Sequence, residues 1–339
     1  MSSSIAKSRS GLSARTIVGL VLVSLALVAL YSAGWLYLAG TLRANVGRAL
    51  SGLASQDIKA RCEAPETYGY PFSIGMRCNT VVWDGGDRGL SLSAGGLRAE
   101  AAVYDPASID AEVESPEHLV FPGLPPLHLS WKEMTTRVIL ADPLPAKLSV
   151  AGSDVRVDLA KDASDPRMLA SLGDGSASAV RTGQALEIRS RFRRLRTAMA
   201  LPGGDRLPDI DGALDVSLPE GAGPNAMSSA SLREWLRGQS GELREATLSS
   251  IGTGISATGP FDISADGEID ARLNVTIRNP KQMAELLARA FPAYADQIAT
   301  ASGILGGLSG GDDSARITLD IRHGRVYAGF IPLGTLPAL

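Results

Sequence analysis

The chain has 339 residues, 45% of them hydrophobic and 20% charged, with a formal net charge of −3. That length allows one large domain or two of ordinary size, that composition excludes a disordered chain, and the weak net charge supplies no basic field for nucleic acid. With 37 Gly and 19 Pro but only 5% aromatics, the chain is rich in turns, which fits many short strands better than long helices.

At the N-terminus, Lys7, Arg9 and Arg15 precede an uncharged run from Thr16 to Leu42. As a helix this run is long enough to cross a hydrocarbon core of about 30 Å. Tyr31, Trp35 and Tyr37 cluster at its far end, where amphipathic rings favour the membrane interface. The competing reading is a cleaved signal peptide, whose apolar region is usually about 7–15 residues long and ends in small residues. Here the run is longer, and cuts after Ala33 or Ala39 would each have a Tyr two residues upstream. The expectation is an uncleaved anchor over 16–40 behind a cytoplasmic tail, 1–15. Arg43 and Arg48 follow the span, so the distribution of basic residues does not set its orientation.

Residues 41–61 carry Leu42, Val46, Ala49, Leu50 and Leu53 at helical spacing, which predicts an amphipathic helix or stalk. It serves either as an interfacial helix or as a cap on the sheet that follows. The only cysteines, Cys62 and Cys78, then bracket the aromatic block Tyr68-Gly69-Tyr70-Pro71-Phe72. Two cysteines alone are too few for a structural metal site, and the spacing is not that of a C-x-x-C redox pair. A structural disulfide is the preferred reading and free thiols the alternative. Disulfides persist in oxidising compartments, so this reading places the body of the chain in the periplasm or outside, with the N-terminus in the cytoplasm.

From residue 73 onward, period-two alternation recurs. Leu92 and Ala94, then Leu97, Ala99 and Ala101, are read as a hairpin around a Gly95-Gly96 turn. The segment "GPFDISADGEIDARLNVTIRN" predicts a hairpin about Asp266-Gly267, and "ARITLDIRHGRVYAGFIPLG" another about His323-Gly324. Alternation with one wet face belongs to antiparallel sheets. Helices are expected in "SSASLREWLRG" and from Asn279 as N-cap through Pro280, with a break at Pro292. The proline-rich stretches 115–131 and 201–212 read as connectors. The fold class is therefore mainly β (α+β): a transmembrane helix, then a large antiparallel sheet with a few short helices, in an N-terminal β half (62–204) and a C-terminal β half with helices (205–339).

Chemistry-bearing patterns are sparse. His118, His128 and His323 lack a second ligand at metal spacing, and Gly307-Leu308-Ser309-Gly310-Gly311 lacks the strand-to-helix setting of a nucleophile elbow. The acidic turns 84–87 and 311–314 lack a calcium-loop pattern. No catalytic residue, metal or cofactor is expected. Arg189, Arg191, Arg193, Arg194 and Arg196 stand within eight residues and are candidates for an anion or lipid headgroup, or else form a solvated edge strand.

The stretch "GRALSGLASQDIKARCEAPETYGYPFSIGMRC" and the closing "GRVYAGFIPLGTLPAL" resemble the bacterial envelope family described as domain of unknown function 2125. The paired cysteines around the Gly69–Phe72 block are the most specific part of that resemblance. More loosely, the chain is similar to large β-rich envelope proteins of the AsmA type, a fold-level analogy. The closer resemblance implies location and architecture and brings no catalytic residue. Three functions follow in order of preference. The first is a non-enzymatic envelope binding or assembly factor at the inner membrane, holding lipid in an apolar sheet groove. The second is a scaffold for another envelope protein, and the third an envelope hydrolase.

Overall fold

The computed structural model describes residues 14–54, 59–84, 91–115, 117–120, 125–141, 146–159, 167–198, 207–219, 232–308 and 313–339. It begins with one helix, α1 (Ala14–Ala54). No proline interrupts this stretch, and Gly47 and Gly52, at about 1 kcal/mol each relative to Ala, do not end it. The apolar run and the expected stalk are thus continuous. The end of the predicted stalk is not helical, because 59–63 form the first strand.

Apart from three shorter helices, the rest of the described residues form one antiparallel sheet of 20 strands. Its first part holds β1 (Lys59–Glu63), β2 (Glu66–Tyr68), β3 (Ser73–Cys78), β4 (Thr80–Asp84), β5 (Ser91–Ala94), β6 (Leu97–Ala102), β7 (Asp105–Val113), β8 (Glu117–Val120), β9 (Leu127–Ser130), β10 (Glu133–Ile139) and β11 (Lys147–Leu159). The sheet forks at β11. Its first half pairs with β10, and the order continues β7, β6, β3, β2; its second half pairs with β9, and the order continues β8, β5, β4, β1. The chain shuttles between these two arms, crossing a crease at Asn79, at Gly95-Gly96, after Val113, at Trp131 and at Asp154, whose φ is +49°.

This crease corrects two expectations. Gly95-Gly96 is not a hairpin turn: β5 and β6 do not pair with each other but lie in different arms. Glu114 crosses closely above this pair: a Cβ on Gly95 would lie 3.0 Å from its backbone carbonyl oxygen. Within the proline-rich stretch 115–131, the segments 117–120 and 127–130 are not a connector but the paired strands β8 and β9.

The second part is a simple meander: β12 (Arg167–Thr182), β13 (Ala185–Thr197), β14 (Ile210–Leu218), β15 (Ser240–Ser250), β16 (Thr253–Ile263), β17 (Ile269–Arg278), β18 (Ser314–Arg322), β19 (Arg325–Ala328) and β20 (Ile331–Thr335). The half boundary set near residue 205 lies outside the described residues, and the strands on either side of it, β13 and β14, pair with each other. Both predicted hairpins form, with Ile263 opposite Ile269 across residues 264–268 and Ile321 opposite Val326. Three helices are inserted: α2 (Leu232–Leu236), α3 (Pro280–Ala290) and α4 (Ala295–Leu308), the last two separated at Pro292 as expected. Asn279 stands at the N-terminus of α3 but makes no side-chain cap; its amide instead donates to the Gly252 carbonyl.

Leu218, Thr253, Ile263, Val275, Ala315 and Ile321 are buried in the second part. Gly259, in the middle of β16, has φ +146°, and a Cβ there would run into the Arg272 carbonyl of β17. Gly259→Ala is therefore expected to destabilise the fold by about 1–3 kcal/mol, read as a lower urea midpoint.

Candidate functional site

Strand alternation sorts the sheet into two chemically distinct faces. On one, Ala99, Ala111, Thr136, Val150, Ala177, Ser190, Leu214 and Ala246 lie in register across eight strands. The neighbouring row on this face holds Ala101, Ile109, Val138, Leu148, Ala179, Ile188 and Val216. This apolar face is uncovered over much of its width: Leu148 is 42% exposed, Leu214 38% and Leu248 51%. Among the described residues the helices pack on β1, β3, β16 and β18, and none makes an extended contact with the apolar face between β7 and β15.

The opposite face is polar and its charges alternate. One row runs Arg98, Glu112, Thr135, Ala151, Ser176, Arg191, Ala213, Thr247. The next runs Glu100, Asp110, Arg137, Ser149, Ser178, Arg189, Asp215, Glu245. Two adjoining open depressions of about 710 and 730 Å³ lie on this face and share Thr135, Ala151, Ser176 and Arg191.

Arg189, Arg191 and Arg193 line these depressions, while Arg194 and Arg196 line a third, of about 320 Å³. Arg189, Arg191 and Arg193 share the polar face, as expected for a strand. The same alternation points them away from Ile188, Ser190 and Phe192 on the apolar face, so the arginine row and the apolar face do not form one composite site. Most of the cluster is ion-paired. Arg189 bonds Asp215 at 2.9 Å and Glu187 at 2.8 Å, and this hydrogen bonding, led by Asp215, raises its already high pKa. Arg196 forks onto Asp209 through two 2.8 Å bonds, which hold the Asp209 carboxyl below the usual carboxylate range. Arg193 and Arg194 share Asp174 at 3.4 and 2.8 Å.

Arg194 serves the crease. Its φ is +55°, its N–H donates to Asp211 at 2.8 Å, and its guanidinium covers Gly173. Arg191 alone of the five has no carboxylate partner among the described residues. Apart from Glu187, two positions from Arg189, the acid partners come from outside β13, 13 to 26 positions away, so the sequence alone did not show them.

The cysteine loop is the second focus. Cys62 and Cys78 are bonded, with their Cα atoms 5.3 Å apart. The bond ties β1, the edge of one arm, to β3 in the other. The aromatic block inside the loop docks on α1. The Tyr31 hydroxyl donates to the Pro71 carbonyl, Trp35 Nε1 donates to the Ser73 carbonyl at 2.9 Å, and the Ser32 and Tyr70 hydroxyls meet at 2.8 Å. The Trp35 and Tyr70 rings pack edge to face at 5.5 Å. Farther along, Arg43 reaches Thr67, which lies opposite Met76 on the apolar side of the sheet. Trp35 and Ala39 are buried by this docking, while Tyr37 points away and stays exposed.

Of the histidines, His118 and His128 are cross-strand neighbours with ring centroids 4.1 Å apart, and His323 lies 3.1 Å from Glu268. Among the described residues no group of three or more His, Cys, Asp or Glu is placed to hold a metal ion. Ser309 and most of the two acidic turns lie outside the described residues.

Residues 35–337 match the model of a family described as "Uncharacterized protein conserved in bacteria (DUF2125)". No curated protein matches the chain.

Proposed function

The chain belongs to the DUF2125 family, and we propose that it is a membrane-anchored envelope protein that binds lipid acyl chains on the open apolar face of its sheet. One observation carries this reading: in-register small and apolar side chains cross eight strands with no extended element of the described residues packed over them, on the side of the sheet where α1 crosses β2 and β3. Soluble domains rarely leave apolar surface of that extent bare unless something binds it.

The anchor reading is supported by the one helical span among the described residues that is long and apolar enough to cross a membrane, Val18–Ala44, of which only 6% of the most apolar window is buried. The bonds from Tyr31 and Trp35 to the sheet favour an anchor that stays attached over a signal peptide that is removed. The disulfide favours a periplasmic location for the sheet. Binding is the proposed work of the protein, without a chemical step.

To test this, the full-length protein is purified from membranes, exchanged through lipid-free detergent and extracted with organic solvent for mass spectrometry. Phospholipid or fatty acid retained in a fixed ratio to protein is the expected result. Repeated isolation free of lipid would refute the reading.

A second reading, docking of another envelope protein, is favoured by β20. That strand pairs only with β19, all five of its residues are exposed, and Phe330 beside it is 97% exposed. An unpaired edge of this kind can accept a partner strand. Crosslinking in membranes that returns one protein partner through residues 330–335 would favour it over lipid.

A further inference from the structure

Two turns lie side by side at the α1 end of the sheet: the loop 69–72 and the β6–β7 turn at Val103-Tyr104, joined by a 3.0 Å bond from the Val103 N–H to the Phe72 carbonyl. Turns of this kind usually carry small polar residues. Here they present large rings to solvent: Phe72 is 76% exposed, Tyr104 87% and Tyr70 51%.

Their depth along α1 is fixed. Tyr31, Ser32 and Trp35 bond the loop directly. α1 also packs on β1 and β3, which the disulfide ties to each other. Arg15 is the last charge before the apolar run. With Arg15 at the inner interface, about 20 helical residues cross a hydrocarbon core of about 30 Å, which brings the outer interface to Trp35. The exposed rings therefore stand at the boundary between acyl chains and headgroups, the zone where Tyr and Trp are most stable.

We infer that Tyr70, Phe72 and Tyr104 form a second membrane contact, a tip seated in the outer interface of the same bilayer that α1 crosses. This rests on the anchor reading of α1 and not on lipid binding by the sheet. The tip fixes the sheet's orientation, with the β3, β6 and β7 end against the membrane, so that the apolar face starts at the lipid surface.

The test uses the full-length chain in vesicles of phosphatidylethanolamine and phosphatidylglycerol. The native cysteines are paired with each other, so an environment-sensitive fluorophore can be attached through Tyr104→Cys, or through Lys132→Cys at the opposite, crease end of β10. The probe at position 104 is expected to be quenched by phospholipid carrying a shallow nitroxide and shielded several-fold from aqueous iodide. The probe at 132 is expected to show the reverse. Iodide quenching at 104 as strong as at 132, with no nitroxide effect, would overturn the tip. A probe at Leu22→Cys that also escapes nitroxide quenching would overturn the anchor and the tip together. Absence of co-purified lipid would leave the depth of position 104 unchanged, so the two proposals fail separately.

Discussion

Replacing Leu214 and Leu248 together by glutamate is expected to abolish retained lipid while leaving the fold and membrane insertion intact. Both side chains sit on the apolar face of adjacent strands and are already partly solvated, at 38% and 51% exposure. A carboxylate at either site keeps its water in the unliganded protein, so folding loses little. An acyl chain laid over it would strip that water, and an unpaired charge resists this by several kcal/mol. At 1.4 kcal/mol per decade, binding is expected to fall by about 100-fold or more. The matched control is Ala213→Glu with Thr247→Glu, on the same two strands but facing the polar side, which is expected to retain lipid at the wild-type ratio. Equal loss in both pairs, or in neither, would count against the apolar face. Circular dichroism on each variant keeps a folding defect from passing as a binding defect.

Removal of the disulfide has the second large effect. Cys62→Ala with Cys78→Ala opens a 16-residue separation, and the chain-entropy estimate for such a loop is about 3 kcal/mol. The bond carries more than loop entropy here, because it joins β1, the edge of one arm, to β3, the strand next to the edge of the other. Without it, near this point, the arms are held by the turn at Asn79 and its 2.9 Å bond to the Glu63 carbonyl. A lower denaturation midpoint is expected, reproduced by adding reductant to the wild type. Identical midpoints with and without reductant would show that strand pairing alone closes this end.

What the sequence disclosed follows the range of each interaction. The Asp266-Gly267 and His323-Gly324 hairpins were legible because their turns need positive φ, and Gly267 and Gly324 supply it at +85° and +73°. The shared face of Arg189, Arg191 and Arg193 was legible from period two alone. Gly95-Gly96 was not, because a pair of glycines signals close approach without saying of what. Here it is Glu114 crossing a crease, a contact set by the forked strand order. The ion pairs of Arg189 and Arg196 were hidden for the same reason, since Asp215 and Asp209 become neighbours only once β13 and β14 pair. The aromatic block and the rings of α1 each stood out locally. That one docks on the other is a tertiary fact separated by 38 to 40 residues.

Photocrosslinking tests the central claim most directly. The full-length protein would be irradiated in membranes containing phospholipid with a diazirine in its acyl chain, and the labelled peptides mapped by mass spectrometry. Acyl binding to the sheet predicts adducts on apolar-face residues of β11, β13, β14 and β15, among them Leu148, Ile188, Leu214 and Leu248, in addition to α1. Adducts confined to α1 and the aromatic tip, with none on those strands, would contradict it.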